Sequence, residues 1–195
     1  MKKTVILLIA AIIAVTAAAC TEAELDAPVG MKLISDEAAD YYLYVPSTWV
    51  VAQQEGLTSA YVSVSDPSNV SCARYTVKNT DIFALDTSAE SSASPAVQYA
   101  RNYWTGYQSD LAAALPGYME IGEPAVAYLD GNEAVVYTYA ATLSGVEYKF
   151  SAVVCVIEYQ VYILTYTATA EAYQNNAESF TSIIDNFKFQ KGLFE

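Results

Sequence analysis

Between residues 146 and 168 the chain runs through two long stretches that carry apolar side chains on both faces. Val153, Val154, Cys155 and Val156 follow one another in the first, and Ile163 and Leu164 fill the middle of the second. A strand that alternates polar and apolar residues can lie on a sheet with one wet face, but a strand without alternation must be covered on both sides. The short link Glu158-Tyr159-Gln160 cannot make a parallel crossover, so the two stretches are expected as antiparallel neighbours in the middle of a sheet.

The rest of the chain supplies further strands and the covering layers. Strands are expected over Met31 to Ser35, Tyr41 to Val45 (stopped by Pro46), Trp49 to Gln53, Ala60 to Ser65 and Val70 to Val77. In the fourth of these, Val62 and Val64 would share one face and Tyr61 and Ser63 the other, and Asp66-Pro67-Ser68-Asn69 makes the next turn. Lys78 to Ala93 is long for a connection, and Ile82, Phe83 and Leu85 predict that it packs down onto the body. Ser94-Pro95 then opens a helix with an N-cap and a first-turn proline, its apolar face running through Val97, Ala100, Tyr103 or Trp104, Tyr107, Leu111 and Leu115 to Pro116-Gly117. Ala125 to Leu129 and Ala134 to Leu143 form a hairpin about Asp130-Gly131-Asn132-Glu133, and Ser144-Gly145 leads into the central pair. Tyr173, Ala177, Phe180, Ile184 and Phe187 mark a C-terminal amphipathic helix. The class is α+β, an antiparallel β-sheet packed against helices. No repeat or low-complexity linker divides residues 31–195, which are read as a single domain.

The first residues carry an address. Lys2 and Lys3 precede an uncharged apolar run from Val5 to Val15, and Ala17-Ala18-Ala19 leads to Cys20. That is the layout of a bacterial secretory signal over residues 1–19, too short for a spanning helix. Ala-Ala-Ala-Cys resembles the lipobox of bacterial lipoproteins, which implies a diacylglyceryl group on the Cys20 thiol, residues 20–30 as a tether, and a partner membrane reached through that lipid. The lipobox commonly has Leu where this chain has Ala17, and Ala17-x-Ala19 also suits ordinary signal peptidase; a secreted product is the alternative.

Charge and composition remove several function classes. Nine Lys and Arg stand against 22 Asp and Glu, a formal net charge of −13. Such a surface is a poor match for nucleic acid, and anionic headgroups repel it, so a lipid would have to hold it on a bilayer. Without a single histidine there is no Ser-His-Asp or Cys-His catalysis and no His-ligated metal. No Gly-rich phosphate loop or nucleophile elbow is present, so neither a catalytic residue nor a cofactor is expected. Cys72 and Cys155 lie in apolar strands and are read as buried free thiols, with a disulfide as the other possibility.

Tyr41-Tyr42-Leu43-Tyr44-Val45-Pro46-Ser47-Thr48-Trp49 is similar to the opening of PsbP-like domains. Tyr162-Ile163-Leu164-Thr165-Tyr166-Thr167-Ala168, followed by a helix and Phe180 through Phe187-Lys188-Phe189, resembles their ending. The likeness spans roughly Met31 to Phe189 and implies an α/β/α sandwich. It also implies a mostly non-catalytic assembly or binding module, here with an unknown protein or envelope partner.

Three sets of residues compete for a site. Asp36, Glu37 and Asp40 could ligate a hard cation but lack calcium-loop spacing, and a solvated turn explains them; a tight hairpin explains Asp130-Gly131-Asn132-Glu133. Seventeen tyrosines include the alternating pairs Tyr137/Tyr139 and Tyr162/Tyr166. These fit an aromatic surface for carbohydrate, peptide or protein, or more plainly half-buried strand positions whose hydroxyls reach water. The leading expectation is a lipid-anchored, extracytoplasmic, non-catalytic binding or scaffolding domain. The alternatives are a carboxylate-dependent hydrolase acting on envelope glycans, or a divalent-cation-binding protein.

Overall fold

A computed structural model describes residues 26–36, 38–54, 57–86 and 93–190. The two two-sided apolar stretches are central strands, as their composition demands. An eight-stranded antiparallel sheet is built from β4 (Val50–Gln54), β5 (Leu57–Tyr61), β6 (Asn69–Thr76), β7 (Met119–Glu120), β8 (Ala125–Leu129), β9 (Asn132–Leu143), β10 (Val146–Ile157) and β11 (Gln160–Thr169). The spatial order is β4-β5-β6-β11-β10-β9-β7, with β8 beside β7 on the free side of β9. Two smaller ladders lie outside it: β1 (Met31–Leu33) pairs with β3 (Tyr44–Pro46), and β2 (Tyr41–Tyr42) pairs with the C-terminal β12 (Lys188–Phe189).

The period of two divides the central strands between two cores. Val153, Cys155, Tyr162, Leu164 and Tyr166 face a core shared with Leu43, Val45, Phe180, Ile183 and Phe187. Ala152, Val154, Val156, Val161 and Ile163 face the other, with Val97, Ala100 and Trp104. Helix α1 (Pro95–Ala114) covers that second face, and α2 (Ala177–Asn186) covers the first. The α/β/α sandwich expected from the sequence is the fold.

Local chemistry sets the element ends. Ser94 accepts the Val97 N–H at 3.3 Å, and Pro95 occupies the first turn of α1 without wasting a donor. Past the helix the chain must press against β9: Thr142 N–H donates to Pro116 O at 2.7 Å, and a Cβ on Gly117 would come within 3.2 Å of Thr142 Oγ1, on a backbone with φ +68°. Asp130-Gly131 and Ser144-Gly145 make two-residue hairpin loops with positive φ at both positions. In α2 the buried stripe is Phe180, Ile183 and the capping Phe187; Ile184 is only partly covered, and Tyr173 belongs to a preceding 3₁₀ turn.

Several element expectations need correction. Tyr41 to Val45 is two strands, because Leu43 is the crossing point where the chain leaves one ladder for another. The strand expected at Ala60–Ser65 is Leu57–Tyr61 instead. Ser68 O draws the Val62 N–H into the turn at 2.8 Å, and Val64 is left exposed. The two-residue β7 was not foreseen. In the long connection Ile82 and Phe83 pack against the second core, but Leu85 does not and stays 43% exposed.

Cys72 and Cys155 are free and buried on one face. Strand β11 lies between theirs, with Cys72 opposite Leu164 and Cys155 opposite Tyr162. Two strand spacings separate the Cα atoms by about 10 Å or more, past the roughly 7 Å reach of a disulfide. Burial pushes both thiols up to about 12. In the native protein Cys72 and Cys155 should therefore be silent to a thiol-specific chromogenic reagent at mildly alkaline pH, and both should react on unfolding. Fast labelling of either in the folded state would contradict this packing.

Candidate functional site

Cys20, the expected lipid attachment, lies outside the described residues, as does Glu37. The acidic cluster near residue 40 is not one solvated turn. Asp36 Oδ1 accepts the Ala38 and Ala39 N–H groups at 3.0 Å each, an ordinary turn. Asp40 instead points inward and is 7% exposed. Its Oδ2 accepts from Arg74 Nη1 at 2.5 Å and from the Tyr162 hydroxyl at 2.8 Å, while Oδ1 is buried without a partner. Burial, and then the hydrogen bond to Asp40, hold the Tyr162 phenol far above its ordinary range. The sequence could not show this, because Arg74 and Tyr162 reach Asp40 only across the sheet. Asp130 likewise does more than turn the chain: its two oxygens accept from Lys188 Nζ at 2.8 Å and from the Phe189 N–H at 2.9 Å, which fastens β12.

The alternating tyrosines are interior residues. Tyr137 stacks on Trp104 at 4.1 Å and 8°, and Tyr139 on Phe150 at 4.7 Å and 6°. Tyr162 and Tyr166 lie in the opposite core, the latter donating to Tyr173 O at 2.9 Å. An exposed aromatic face does not describe these four, which are all buried. They are covered because α1 and α2 lie over both sheet faces, a tertiary fact invisible to strand periodicity.

An aromatic cavity of about 810 Å³ opens where a 3₁₀ turn, the start of α1 and a hairpin meet. The 3₁₀ turn Thr80–Phe83 contributes Thr80 and Phe83, the start of α1 contributes Pro95, Ala96 and Tyr99, and the β10–β11 hairpin contributes Val156, Glu158 and Tyr159. Phe83 meets Tyr99 at 5.1 Å and 82°, and Tyr159 at 5.5 Å and 79°, so two rings stand nearly perpendicular to a third. The walls are tied down. Asn79 caps the 3₁₀ turn, Asn102 Nδ2 donates to Ile82 O and Ala84 O at 2.9 Å, and Val77 N–H donates to Tyr159 O at 2.7 Å. Tyr159 nevertheless keeps 60% of its surface in solvent. Unlike Asp130-Gly131 and Ser144-Gly145, the two-residue loop Glu158-Tyr159 has no glycine, although Glu158 takes φ +52°.

The lining is mostly apolar and aromatic. Glycoside hydrolysis needs two carboxyl groups about 5–9.5 Å apart, and the cavity has one, on Glu158. A smaller cavity of about 330 Å³ has only Glu120, whose Oε1 accepts from Trp104 Nε1 at 2.7 Å. Among the described residues no three Cys, Asp or Glu side chains are grouped to hold a metal ion, and no helix is long and apolar enough to cross a membrane.

Residues 5–189 match the family described as PsbP-like protein. No curated protein matches the chain. Among solved structures, cyanobacterial PsbP (CyanoP) from Synechocystis sp. PCC 6803 is 11% identical, covers 84% of this chain and 95% of its own, and superposes with a TM-score of 0.55. LpqN, described as involved in cell envelope biogenesis of Mycobacterium tuberculosis, is 14% identical, with coverage of 82% and 90% and a TM-score of 0.53. At such identities the likeness establishes the shared fold.

Proposed function

The chain belongs to the PsbP-like protein family, and on that premise we propose that it is a lipid-anchored, non-catalytic binding module of the cell envelope. Cys20 is the proposed lipid attachment, residues 1–19 the signal removed on export, and residues 20–30 the tether to the domain at 31–195. The observation that carries the binding reading is the aromatic cavity: a fixed, mostly apolar recess with one carboxylate and no second acid to share chemistry with it. The acids that the fold draws inward, Asp40 and Asp130, are occupied by Arg74, Tyr162, Lys188 and Phe189. The envelope setting is of the kind described for the fold neighbour LpqN. The full chain carries a net charge of −13, and losing Lys2 and Lys3 with the signal leaves the exported chain more acidic still, so anionic headgroups repel it and the acyl chains supply the whole membrane attachment.

The test is fractionation of cells expressing the full chain or its Cys20→Ser variant. The native chain is expected in the membrane fraction, and the variant in a soluble extracytoplasmic fraction or retained unprocessed with its signal. Native chain found in the cytosol, or a variant processed and membrane-bound like the native protein, would overturn the anchor.

A further inference from the structure

We propose that the aromatic cavity binds a free organic cation bearing an alkylated ammonium group. The inference deepens the binding reading above but does not depend on the lipid. Faces of aromatic rings are negative and attract cations, most strongly alkylated ammonium groups that shed water readily. Phe83, Tyr99 and Tyr159 line one recess in near-perpendicular pairs, with a carboxylate at its rim. None of the lining residues is Lys or Arg, so no side chain of the cavity supplies the positive charge; on the other side of the sheet, by contrast, Lys149 Nζ sits 4.4 Å above the Tyr173 ring.

Two further observations favour a cation over an anion. Pro95 has no N–H, and Ser94 accepts those of Val97 and Gln98, so of the first four helix positions only Ala96 keeps an N–H without a partner among the described residues. The chain as a whole carries −13, which concentrates cations and repels anions. The carboxylate is also held at a conformational cost. Positive φ at only the first position of a two-residue hairpin loop is where glycine is favoured, and Glu158 occupies it at +52°.

Choline is the probe, titrated calorimetrically into the purified full chain at constant ionic strength, beside its uncharged isostere with a tert-butyl group in place of trimethylammonium. Choline should saturate, and bind at least about tenfold more tightly than the isostere. Tyr159→Ala should weaken it about tenfold, and Glu158→Gln about three- to tenfold. Glu158→Gly relieves the backbone, so that variant should melt higher and yet bind more weakly. Equal affinity for the isostere, no saturation with choline, or undiminished binding by Tyr159→Ala and Glu158→Gln would overturn the proposal. Binding to phosphatidylcholine vesicles without binding to free choline would also overturn it, in favour of a lipid headgroup. The Cys20→Ser variant should bind choline as the native chain does, so failure of the anchor and failure of this site are separable.

Discussion

Replacing Trp104 with alanine is expected to lower stability by about 3–5 kcal/mol, read as a shift of the urea midpoint with the slope unchanged. Trp104 is 3% exposed and is the buried aromatic through which α1 grips the sheet. It lies flat on Tyr137 at 4.1 Å, touches Tyr107 and Tyr139, and donates its indole N–H to Glu120 at 2.7 Å. Its loss opens a void bounded by rings too large to collapse into it, and uncovers Tyr137, whose hydroxyl is already buried without a partner. Trp104→Phe keeps the stacking and loses the hydrogen bond, so its cost should be nearer 1 kcal/mol. Equal losses for the two variants would mean that the hydrogen bond, not the packing, holds α1 in place.

The second large effect is an asymmetry at Asp40. Arg74 is 46% exposed along its side chain and Asp40 only 8%. Removing the acid leaves a guanidinium that water can solvate, whereas removing the base strands a carboxylate inside the protein. Arg74→Met should therefore cost about 3 kcal/mol, at the low end for a broken buried pair because Tyr162 still donates to Asp40. Asp40→Asn retains an acceptor for Tyr162 and should cost about 1–2 kcal/mol. The double variant should be more stable than the sum of single losses implies, by about 1 kcal/mol or more. An Asp40→Asn loss equal to or larger than that of Arg74→Met would show that the carboxylate is better solvated than its burial indicates.

The parts of the fold that were legible in the sequence are those written in local periodicity and turn chemistry. Val153 to Val156 and Ile163-Leu164 announced covered central strands, Ser94-Pro95 announced α1, and Asp130-Gly131 and Ser144-Gly145 announced the hairpins. Periodicity failed where a neighbour decides. Leu43 divides an apparently continuous strand because β1 and β12 claim its two halves. Asp40 resembles a surface acid until Arg74 and Tyr162 close over it. The tyrosine pairs were legible as facing one side of a strand, but not that a helical layer covers each side. The cavity was the least legible feature, since Phe83, Tyr99 and Tyr159 come from a 3₁₀ turn, a helix and a hairpin loop that only the finished fold brings together.

The central claim, an exported domain held to a membrane by one lipidated cysteine, is tested most directly by the intact mass of the protein extracted from membranes of its own cells. The mass should equal that of a chain beginning at Cys20 plus a diacylglyceryl group and any further acyl chain on its amine. A mass that includes Met1, or that of a chain beginning at Cys20 without lipid, would contradict it.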